Sequence, residues 1–400
     1  MMTNIVIIGA GYAGFTCTLR LQKLLKKENV SVTLINQHDY HYQTTWLHRH
    51  AVGIYDHTKT TFPIADYIDA DRVQFVQDRV VKLNADEKLI ETINGKYGYD
   101  YLVVALGSEI DSFQIPGLEQ YAHSITTIKA ADRFYQDLVQ VLRAYSNSNK
   151  IDPIQIVIGG GGFTGVELLG ELTDRLPELC NRFAINPKNI KLVSIETQPT
   201  VLPEFDLELG EYAMQQLEKK GVEFRLSTKI KTVEHNYIKI ERAGLVEDIP
   251  AHLFVWTAGV KGNRIIAESD IASISGRVEV DGYLRAPAYH DIYIIGDVAI
   301  IKDRETAYLP NADLAIQKAN YCAKHIHAQI SRELVGKPFF FKPWGNIASI
   351  GAKDGIGVVG RQAKIFGRFA ALLKFINDGF VLYQIGRLKM LRAGINQKNV

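Results

Sequence analysis

Cysteine is scarce in this 400-residue chain. Its three cysteines, Cys17, Cys180 and Cys322, lie far apart in the sequence and form no CxxC motif. A disulfide framework, a zinc knuckle and a dithiol redox centre all depend on more cysteines or on closer spacing. We therefore expect none of these sites, and a chain suited to a reducing compartment such as the cytoplasm.

The chain also lacks long apolar runs and a strong excess of charge. No stretch reaches the roughly 18 uninterrupted apolar residues of a membrane-spanning helix. The formal net charge of +2 gives no global indication of nucleic-acid binding, although a local basic patch can still act. The N-terminus leads directly into a strand pattern, so we expect no secretory leader. With 46% hydrophobic and 22% charged residues, the sequence predicts a soluble, intracellular body with two or three domains.

The first of two glycine-rich motifs follows an apolar run at residues 5–8. Gly9, Gly11 and Gly14 fit the pattern GxGxxG, between that strand and a helix predicted over about residues 12–27. In a dinucleotide-binding fold these glycines allow a tight turn, close approach to a pyrophosphate, and packing of helix on strand. The next predicted strand, 31–35, ends at Asn36 instead of the usual acidic residue, but an asparagine still accepts a hydrogen bond. A glycine turn without a ligand is the alternative.

The second motif repeats this arrangement. A strand is predicted at 154–158, then Gly160, Gly162 and Gly165, then a helix that opens at 166–176. The following strand, 190–195, ends at Glu196. A carboxylate there accepts from both ribose hydroxyls and repels a 2′-phosphate, which favours NADH over NADPH. Two motifs, of which one has an acidic end, indicate two different dinucleotides: a resident flavin and a visiting nicotinamide.

Three further strand patterns suggest how the two units are joined. The runs 99–108 and 254–260 each end in small residues where the chain is expected to cross between nucleotide domains. The run 290–299 contains Gly296-Asp297, whose carboxylate is placed to accept hydrogen bonds from a flavin ribityl chain; an ordinary Gly-Asp turn is the alternative. The sequence predicts an α/β protein with two Rossmann-like dinucleotide-binding domains, so that a hydride passes from NADH to FAD. The predicted FAD-binding domain covers 1–112 and 285–330, the NADH-binding domain 113–284, and a C-terminal membrane-interface domain 331–400.

Taken together, these motifs resemble the type II NADH:quinone oxidoreductases, single-subunit respiratory flavoenzymes. The residues that carry the resemblance are GAGYA at 9–13, HDYHYQTTWLH at 38–48, GGGFTGVELLGELTDRLPEL at 160–179, WTAGV at 256–260 and IGDVA at 295–299. The resemblance runs nearly end to end. It implies that NADH reduces FAD at one face, that a membrane quinone reoxidises it from another without proton pumping, and that the protein is a homodimer.

Glu167 is the predicted catalytic residue. It lies two residues after Gly165, on the first turn of the second motif's helix, and we expect it to point across the domain interface towards the flavin. The resemblance implies that a glutamate here is the active-site acid. The alternative is a carboxylate that only stabilises the helix N-terminus. Glu171, one helical turn later, is a second candidate.

The predicted acceptor side departs from the family pattern. The resemblance implies an AQxAxQ signature beside the flavin, whereas this chain has ADLAIQ at 312–317, with Asp313 in place of the first glutamine. A carboxylate near the flavin would disfavour the anionic reduced form unless it is protonated or paired. Asp313 therefore affects the expected acceptor and turnover, while FAD contact through its backbone remains possible.

The predicted ligand contacts form three sets. Those for FAD are Gly9, Ala10, Gly11, Tyr12, Ala13, Gly14, Asn36, Gln37, Thr45, Val80, Ala105, Gly107, Gly296, Asp297, Ala312, Asp313 and Lys374. Those for NADH are Gly160, Gly162, Gly165, Glu196, Ala258 and Gly259. Those for the quinone are Gln317, Asp313 and Lys374, the last because the resemblance implies a lysine near the flavin at this position of the tail. No metal site is predicted.

The C-terminal tail, residues 361–400, has a composition of its own. It holds eight basic residues and one acidic residue, Asp378. Four apolar residues recur at helical spacing, with Phe366 and Leu373 beside them: Ile365, Phe369, Leu372 and Ile376. A basic helix with a broad apolar stripe is typical of one that lies in a membrane interface, so we expect a peripheral protein on the cytoplasmic face of the cell membrane. A helix packed on the protein's own core is the alternative.

Two other functions remain open at this point. A soluble flavin reductase would keep both glycine motifs but would not need the basic tail. A redox-state sensor would bind both dinucleotides and turn over slowly, and Asp313 is the feature that allows this alternative. Flotation with phospholipid and steady-state NADH oxidation with a short-chain quinone distinguish them.

Overall fold

A computed structural model describes residues 2–26, 28–148, 152–303, 306–334, 336–360 and 362–398. Arg361 and the side chain of Lys398, both counted in the basic tail, lie outside this description. Two parallel sheets, each with a glycine turn at its edge, form the centre of the molecule. The prediction of two Rossmann-like units is confirmed.

The first sheet has five parallel strands. Its central strand, Thr3–Ile8, ends in four consecutive buried residues, as expected for a strand covered on both faces. The helix Tyr12–Leu24 follows it, shorter than predicted, and packs against the helix Ala312–Ile330. The strand order is Ile292–Ile294, Tyr101–Val104, Thr3–Ile8, Val30–Asn36 and Val73–Gln77. One edge strand therefore comes from a distant part of the chain, after the whole second sheet.

The second sheet has four parallel strands around Ile154–Gly159, which leads through a glycine turn into the helix Phe163–Arg182. The strand order is Val222–Arg225, Ile190–Ile195, Ile154–Gly159 and Leu253–Trp256. The two units are joined where Glu109–Ile110 pairs with Val260–Lys261 in an antiparallel ladder. The domain boundaries proposed from the sequence stay a prediction.

Smaller elements complete the two units. Each unit carries a three-stranded antiparallel meander: Val80–Asn84, Leu89–Thr92 and Lys96–Gly98 in the first, and Thr228–Glu234, Tyr237–Arg242 and Leu245–Pro250 in the second. The other α-helices are Leu47–Ala51, His57–Thr60, Leu118–Tyr121, Ile128–Ser146, Leu207–Lys219 and Arg264–Ala267. Short strands lie at Tyr40–Tyr42, Thr61–Pro63, Val278–Glu279, Ala299–Ile300, Lys302–Asp303 and Thr306–Ala307.

The C-terminal region begins with a sheet of Gly345–Ser349, Gly355–Val359 and Ala363–Phe366. It ends in the helical segment Gly367–Lys398, which is interrupted at Arg387, a residue with φ of +57°. The predicted apolar stripe was therefore wrong in its first members, because Ile365 and Phe366 lie in a strand. Ile365 is buried and the Phe366 ring contacts the Tyr212 ring. The four-residue strand is too short for periodicity alone to separate it from the helix that follows.

The three cysteines are free thiols in the core. Cys17 and Cys322, far apart in the sequence, contact each other where their two helices pack. Burial raises the pKa of Cys322, and a buried thiol held in its neutral form is a poor nucleophile. The contact was not expected from their separation in the sequence.

Candidate active site

The first glycine motif lies at the carboxyl edge of the first sheet. Gly9 has φ of +96°, and a Cβ atom there would lie 2.3 Å from the carbonyl oxygen of Ala105. A Cβ atom on Gly14 would lie 1.9 Å from the carbonyl oxygen of Gly9. On Gly11, by contrast, it would meet nothing within 4 Å. This open space lies at the start of the helix Tyr12–Leu24, where a pyrophosphate is expected, so the residues present fit a dinucleotide.

Two polar side chains predicted to hold the flavin are already ordered by the protein. Asn36 Oδ1 accepts from the backbone N–H of Ala10 at 2.9 Å, and its Nδ2 donates to the carbonyl of His38 at 2.8 Å. Asn36 thus holds the backbone of the glycine turn in place. Its contact with a ribose stays a prediction. Asp297 Oδ2 accepts from the hydroxyl of Ser108 at 3.0 Å, beside the end of a neighbouring strand.

Side-chain hydrogen bonds join Tyr12 to residues 43–45. The Tyr12 hydroxyl donates to Gln43 Oε1 at 2.5 Å and lies 3.1 Å from Thr45 Oγ1. The amide nitrogen of Gln43 is buried, and it has no hydrogen-bond partner among the described residues. An unpaired buried donor beside the glycine turn is a further feature that fits a bound cofactor.

The other predicted FAD contacts are distributed more widely. Ala105, Gly107 and Gly296 follow two strands of the first sheet at the same edge. Gln37 is exposed just after Asn36, and Ala312 begins its helix. Val80 differs from these, because it packs in the hydrophobic core beneath the sheet.

The second glycine motif lies at the equivalent edge of the second sheet. A Cβ atom on Gly160 would lie 2.8 Å from the Cβ of Ala258, while on Gly162 it would meet only Glu204, at 4.0 Å. Glu196 lies across this turn, where its Oε2 accepts from the backbone N–H of Gly161 at 2.6 Å. Its Oε1 accepts from the backbone of Gln198 at 2.8 Å. Gly160, Gly162, Gly165, Glu196 and Ala258 therefore lie around one turn that is open at Gly162, which fits a second dinucleotide. Gly259 follows Ala258, and a Cβ atom there would lie 2.4 Å from the Phe113 ring.

A buried charge cluster connects the two units to the C-terminal segment. It consists of His48, Arg49, Glu167, Glu171, Lys374 and Asp378. Each of three helices contributes two members: one pair is adjacent on Leu47–Ala51, and the other two pairs have i,i+4 spacing, which places both side chains on one helix face.

Glu167 and Lys374 are central to this cluster. Lys374 Nζ lies 3.5 Å from Glu167 Oε1 and 3.1 Å from Asp378 Oδ1. The same Glu167 oxygen accepts from the backbone N–H of Ser349 at 3.1 Å and from its hydroxyl at 3.2 Å. Glu167 Oε2 lies 3.5 Å from His48 Nδ1. Glu167 is thus fixed by several elements at once. The prediction that it lies on the first turn of its helix was wrong, because the helix begins at Phe163 and Glu167 is its fifth residue.

Arg49 is the second cation of the cluster and contacts Glu171 and Asp378. Its Nε donates to Glu171 Oε1 at 3.1 Å, and its Nη1 lies 3.8 Å from Asp378 Oδ2. That Asp378 oxygen also accepts from the indole N–H of Trp46 at 3.1 Å. Every carboxylate of the cluster therefore contacts at least one cation.

Burial controls the protonation of these groups. Burial and the nearby Arg49 and Lys374 cations hold the pKa of His48 well below its usual range, so its imidazole is neutral. Burial raises the pKa of Glu171, although Arg49 opposes this effect. Burial alone would lower the pKa of Lys374, but the carboxylates of Asp378 and Glu167 raise it above its usual value. The cluster therefore holds two fixed cations, one neutral imidazole and three carboxyl groups.

Asp313 and Gln317 form a pair on the first turns of the helix Ala312–Ile330. Gln317 Nε2 donates to Asp313 Oδ1 at 3.0 Å and to the carbonyl of Lys342 at 2.8 Å, and its Oε1 accepts from the Lys342 backbone at 3.2 Å. Burial raises the pKa of Asp313, which favours its neutral form. A neutral carboxyl would remove the electrostatic objection to an acid beside the flavin.

The C-terminal helical segment presents an apolar face to the surface. Phe369, Leu372 and Ile376 are 59%, 54% and 54% exposed. Leu373 is half-buried. Two basic residues counted in the tail are not free surface charges, because Lys374 is in the cluster and Lys364 pairs with Asp206 and Glu208 at 2.9 and 2.8 Å. Among the described residues, no helix combines the length and apolar character needed to cross a bilayer.

The sequence alone did not identify three members of the cluster as functional: His48, Arg49 and Asp378. Glu171 was predicted as the second candidate for the active-site acid. A signal was present for Asp378, since the single acid of a basic tail stands four residues after Lys374. For His48 and Arg49 the signal was weaker, because both lie within or next to the HDYHYQTTWLH motif but have no pairing partner nearby in the sequence.

Comparison with known families agrees with this architecture. A family model described as pyridine nucleotide-disulphide oxidoreductase matches residues 3–319. The type II NADH:quinone oxidoreductase of Staphylococcus saprophyticus is 36% identical over 391 residues, which cover 96% of each chain. The protein of the same name from Staphylococcus aureus strain NCTC 8325 is 35% identical over 387 residues, again 96% of each chain.

Solved structures show the same fold at lower sequence identity. NDH2 from Plasmodium falciparum in complex with NADH aligns with a TM-score of 0.88 and 18% identity, and the alignment covers 100% of this chain and 99% of that one. The sulfide:quinone oxidoreductase of Aquifex aeolicus aligns with a TM-score of 0.78 and 20% identity, over 96% and 91% of the two chains. At these identities the likeness concerns the fold.

Proposed function

This chain belongs to the type II NADH:quinone oxidoreductase family, and we propose that its buried charge cluster supplies protons for quinone reduction. The enzyme passes electrons from NADH through FAD to a quinone, and the family implies no proton pumping. When bound, FAD accepts a hydride from NADH and returns two electrons to the quinone, while the protein supplies alignment, charge and protons. The contact between Lys374 and Glu167 is the observation that carries the proposal.

The proton requirement follows from the overall reaction. A quinone that becomes a quinol takes up two electrons and two protons, whereas oxidation of NADH to NAD⁺ releases two electrons and one proton. The second proton must come from the solvent, and in a buried site it must pass through the protein. A group that holds an exchangeable proton near the acceptor is therefore needed.

The cluster has the charge balance to hold such a proton. Arg49 and Lys374 are cations, and His48 is neutral, so three ionised carboxyl groups would leave one negative charge uncompensated. An uncompensated buried charge is costly, and a bound proton removes it. We assign the exchangeable proton to the carboxyl groups of the cluster, and Lys374 as the fixed cation beside Glu167 and Asp378 that is needed for this proton to reach the quinone.

The binding site of NADH, the electron donor, is assigned to the second glycine motif. The open turn at Gly162 and the carboxylate of Glu196 support binding of NADH there, with Glu167, the fifth residue of the following helix, towards the nicotinamide. The open turn at Gly11, with Asn36 and Asp297, supports FAD at the first motif. Glu167 would then lie between the NADH side and the acceptor side.

We also propose that the apolar face of the C-terminal helical segment, defined here as Phe369, Leu372, Phe375 and Ile376, rests in the cytoplasmic leaflet of a membrane. All four residues are at least half exposed. The basic residues Arg368 and Arg392 on the same segment are exposed as well, which suits an anionic lipid surface. A lipid-soluble quinone would be collected at such a surface. The homodimer implied by the family stays a prediction.

Asp313 favours one alternative, a slow redox-sensing flavoprotein, because it replaces a family glutamine beside the flavin. Steady-state NADH oxidation by the purified protein distinguishes this sensor from a quinone oxidoreductase. We expect rapid turnover with a short-chain quinone, and faster turnover in membranes that contain the native quinone. Flavin that NADH reduces but that quinone reoxidises only slowly would favour the sensor.

A further inference from the structure

Lys318 is a buried cation that the mechanism above does not use. It lies on the helix Ala312–Ile330 and its side chain is 2% exposed. Its ammonium donates to the carbonyl of Gly296 at 2.9 Å and to the carbonyl of Ala299 at 2.8 Å. These two carbonyls stand on either side of Asp297, so Lys318 fixes both ends of the turn that carries this carboxylate.

Hydrogen bonding alone does not explain why this residue is charged. Two carbonyl acceptors can be satisfied by a neutral amide, whereas burial of an ammonium is unfavourable unless its charge is compensated. Among the described residues, no carboxylate lies within 4.0 Å of Lys318 Nζ, and its third hydrogen has no acceptor. The charged groups that affect its pKa are Asp297, which favours the ammonium, and Arg277, which disfavours it. One hydrogen of the buried Lys318 ammonium therefore has no acceptor among the described residues, and its positive charge has no carboxylate in direct contact.

The position of Lys318 indicates what would use that charge. A Cβ atom on Gly296 would lie 3.2 Å from the Cβ of Ala13, which places the turn against the first glycine motif. That motif, residues 9–14, contains no basic side chain. A dinucleotide bound there brings an anionic pyrophosphate, and backbone N–H groups and the helix terminus supply only partial charges to meet it.

We propose that Lys318 is a positioning residue for FAD, which fixes the turn of Asp297 and whose positive charge raises the affinity for the anionic dinucleotide. The inference rests on the assignment of FAD to the first glycine motif. It concerns a residue behind the turn, not one of the residues predicted to contact the cofactor.

The proposal predicts a pH dependence of FAD binding. Burial lowers the pKa of Lys318 to about 8. If the ammonium form binds FAD more tightly, bound FAD raises that pKa, and the affinity for FAD falls as the pH rises above about 8. By linkage, the fall is at most about tenfold for each pH unit. The charged groups to consider around Lys318 are Asp297 on the turn and Arg277 on the neighbouring segment.

The test compares variants that separate hydrogen bonding from charge. Lys318→Gln keeps two N–H donors and loses the charge, Lys318→Met loses both, and Lys318→Arg keeps the charge. Lys324→Gln, on an exposed position of the same helix, is the matched control. The Kd of FAD is measured by fluorescence on apoprotein from about pH 7 to about pH 9.5, with the unfolding temperature of each apoprotein as a check of folding.

We expect the glutamine and methionine variants to bind FAD roughly tenfold more weakly near neutral pH and to lose the pH dependence. The arginine variant and the Lys324→Gln control should bind like wild type near neutral pH. A folded Lys318→Gln protein with wild-type affinity at every pH would overturn the proposal, because the lysine would then only satisfy two carbonyls. If that variant does not fold, the wild-type titration decides, and a Kd that is constant across this range overturns it. A wild-type protein that binds no FAD would contradict the cofactor site itself.

Discussion

Lys374 places its ammonium 3.5 Å from a carboxylate oxygen of Glu167, although the two residues belong to different helices of different units. Glu167 is the fifth residue of the helix that follows the second glycine motif, and Lys374 lies on the segment that carries the exposed apolar face. This contact therefore joins the proposed NADH side of the molecule to its proposed membrane side. It also gives the C-terminal segment a second proposed role, beyond the proposed attachment to lipid.

Replacement of Glu196 by glutamine tests the choice of donor. In wild type a 2′-phosphate would face a carboxylate that already holds the backbone of Gly161, so NADH should outcompete NADPH. Glu196→Gln removes the charge and should narrow the difference in kcat/KM between the two donors. Wild-type protein with equal kcat/KM for NADH and NADPH would show that Glu196 does not select the cofactor.

Replacement of Asp378 by asparagine tests the stability of the cluster. The buried Asp378 accepts from Trp46 and contacts both Lys374 and Arg49, so Asp378→Asn breaks the buried ion pairs that join these two cations through one carboxylate. We expect the free energy of unfolding to fall by roughly 3 kcal/mol near neutral pH, measured by urea denaturation. Asp71→Asn, at an exposed position, is the control and should change it little.

The pH dependence of that loss follows from the raised pKa of Lys374. A lysine whose pKa is raised on folding contributes stability below the unfolded pKa of about 10.4, and that contribution disappears as the pH rises through the folded pKa. The difference between wild type and Asp378→Asn should therefore be constant from neutral to mildly alkaline pH. A difference that already declines near neutral pH would contradict the assigned charge state of Lys374.

Some features could be predicted from the sequence because their causes are local. The glycines of both motifs are set by a tight turn and by backbone contacts at Ala105 and Ala258, and such constraints leave a fixed spacing in the sequence. The cluster could not be predicted in the same way, since its members meet only when three helices pack. The misassigned residue Ile365 illustrates a third case: a strand of four residues before Gly367 has the same apolar pattern as one helical turn.

The effect of Asp313 is tested by restoring the family glutamine. Burial raises the pKa of Asp313, so its carboxyl should be neutral at low pH and should ionise as the pH rises. An ionised Asp313 disfavours the anionic reduced flavin, which lowers the midpoint potential of FAD. Asp313→Gln should match wild type at low pH and have the higher potential at alkaline pH. Potentials that differ by a constant amount at every pH would show that Asp313 does not titrate in this range.

The membrane proposal is tested by placing charges in the apolar face. In the double variant Phe369→Glu and Leu372→Glu, each carboxylate would cost several kcal/mol to bury unpaired in lipid. Co-sedimentation with anionic liposomes should fall sharply, while FAD content and NADH oxidation with a water-soluble acceptor stay near wild type. Added salt should release wild type only partly, because it screens the basic residues but not the apolar face.

A matched control uses apolar residues that are as exposed but lie elsewhere. Ile93 and Ile274 are 59% and 65% exposed, so Ile93→Glu with Ile274→Glu introduces the same charge without touching the C-terminal segment. This control should bind liposomes like wild type. Equal binding by the Phe369→Glu, Leu372→Glu protein would mean that the face is not the anchor and packs instead against another protein surface.

The most direct test of the account measures the two half-reactions of Lys374→Met separately by stopped flow. Lys353→Met, at an exposed position, is the control. Both proteins should retain FAD and should be reduced by NADH at wild-type rates, because Lys374 is assigned to the acceptor. Reoxidation of the reduced flavin by a short-chain quinone should be slower in Lys374→Met by about tenfold or more, because the cation that pairs with the proton-donating carboxyl groups is lost. Reoxidation at the rate of the control would contradict the central claim that this buried cluster supplies protons to the quinone.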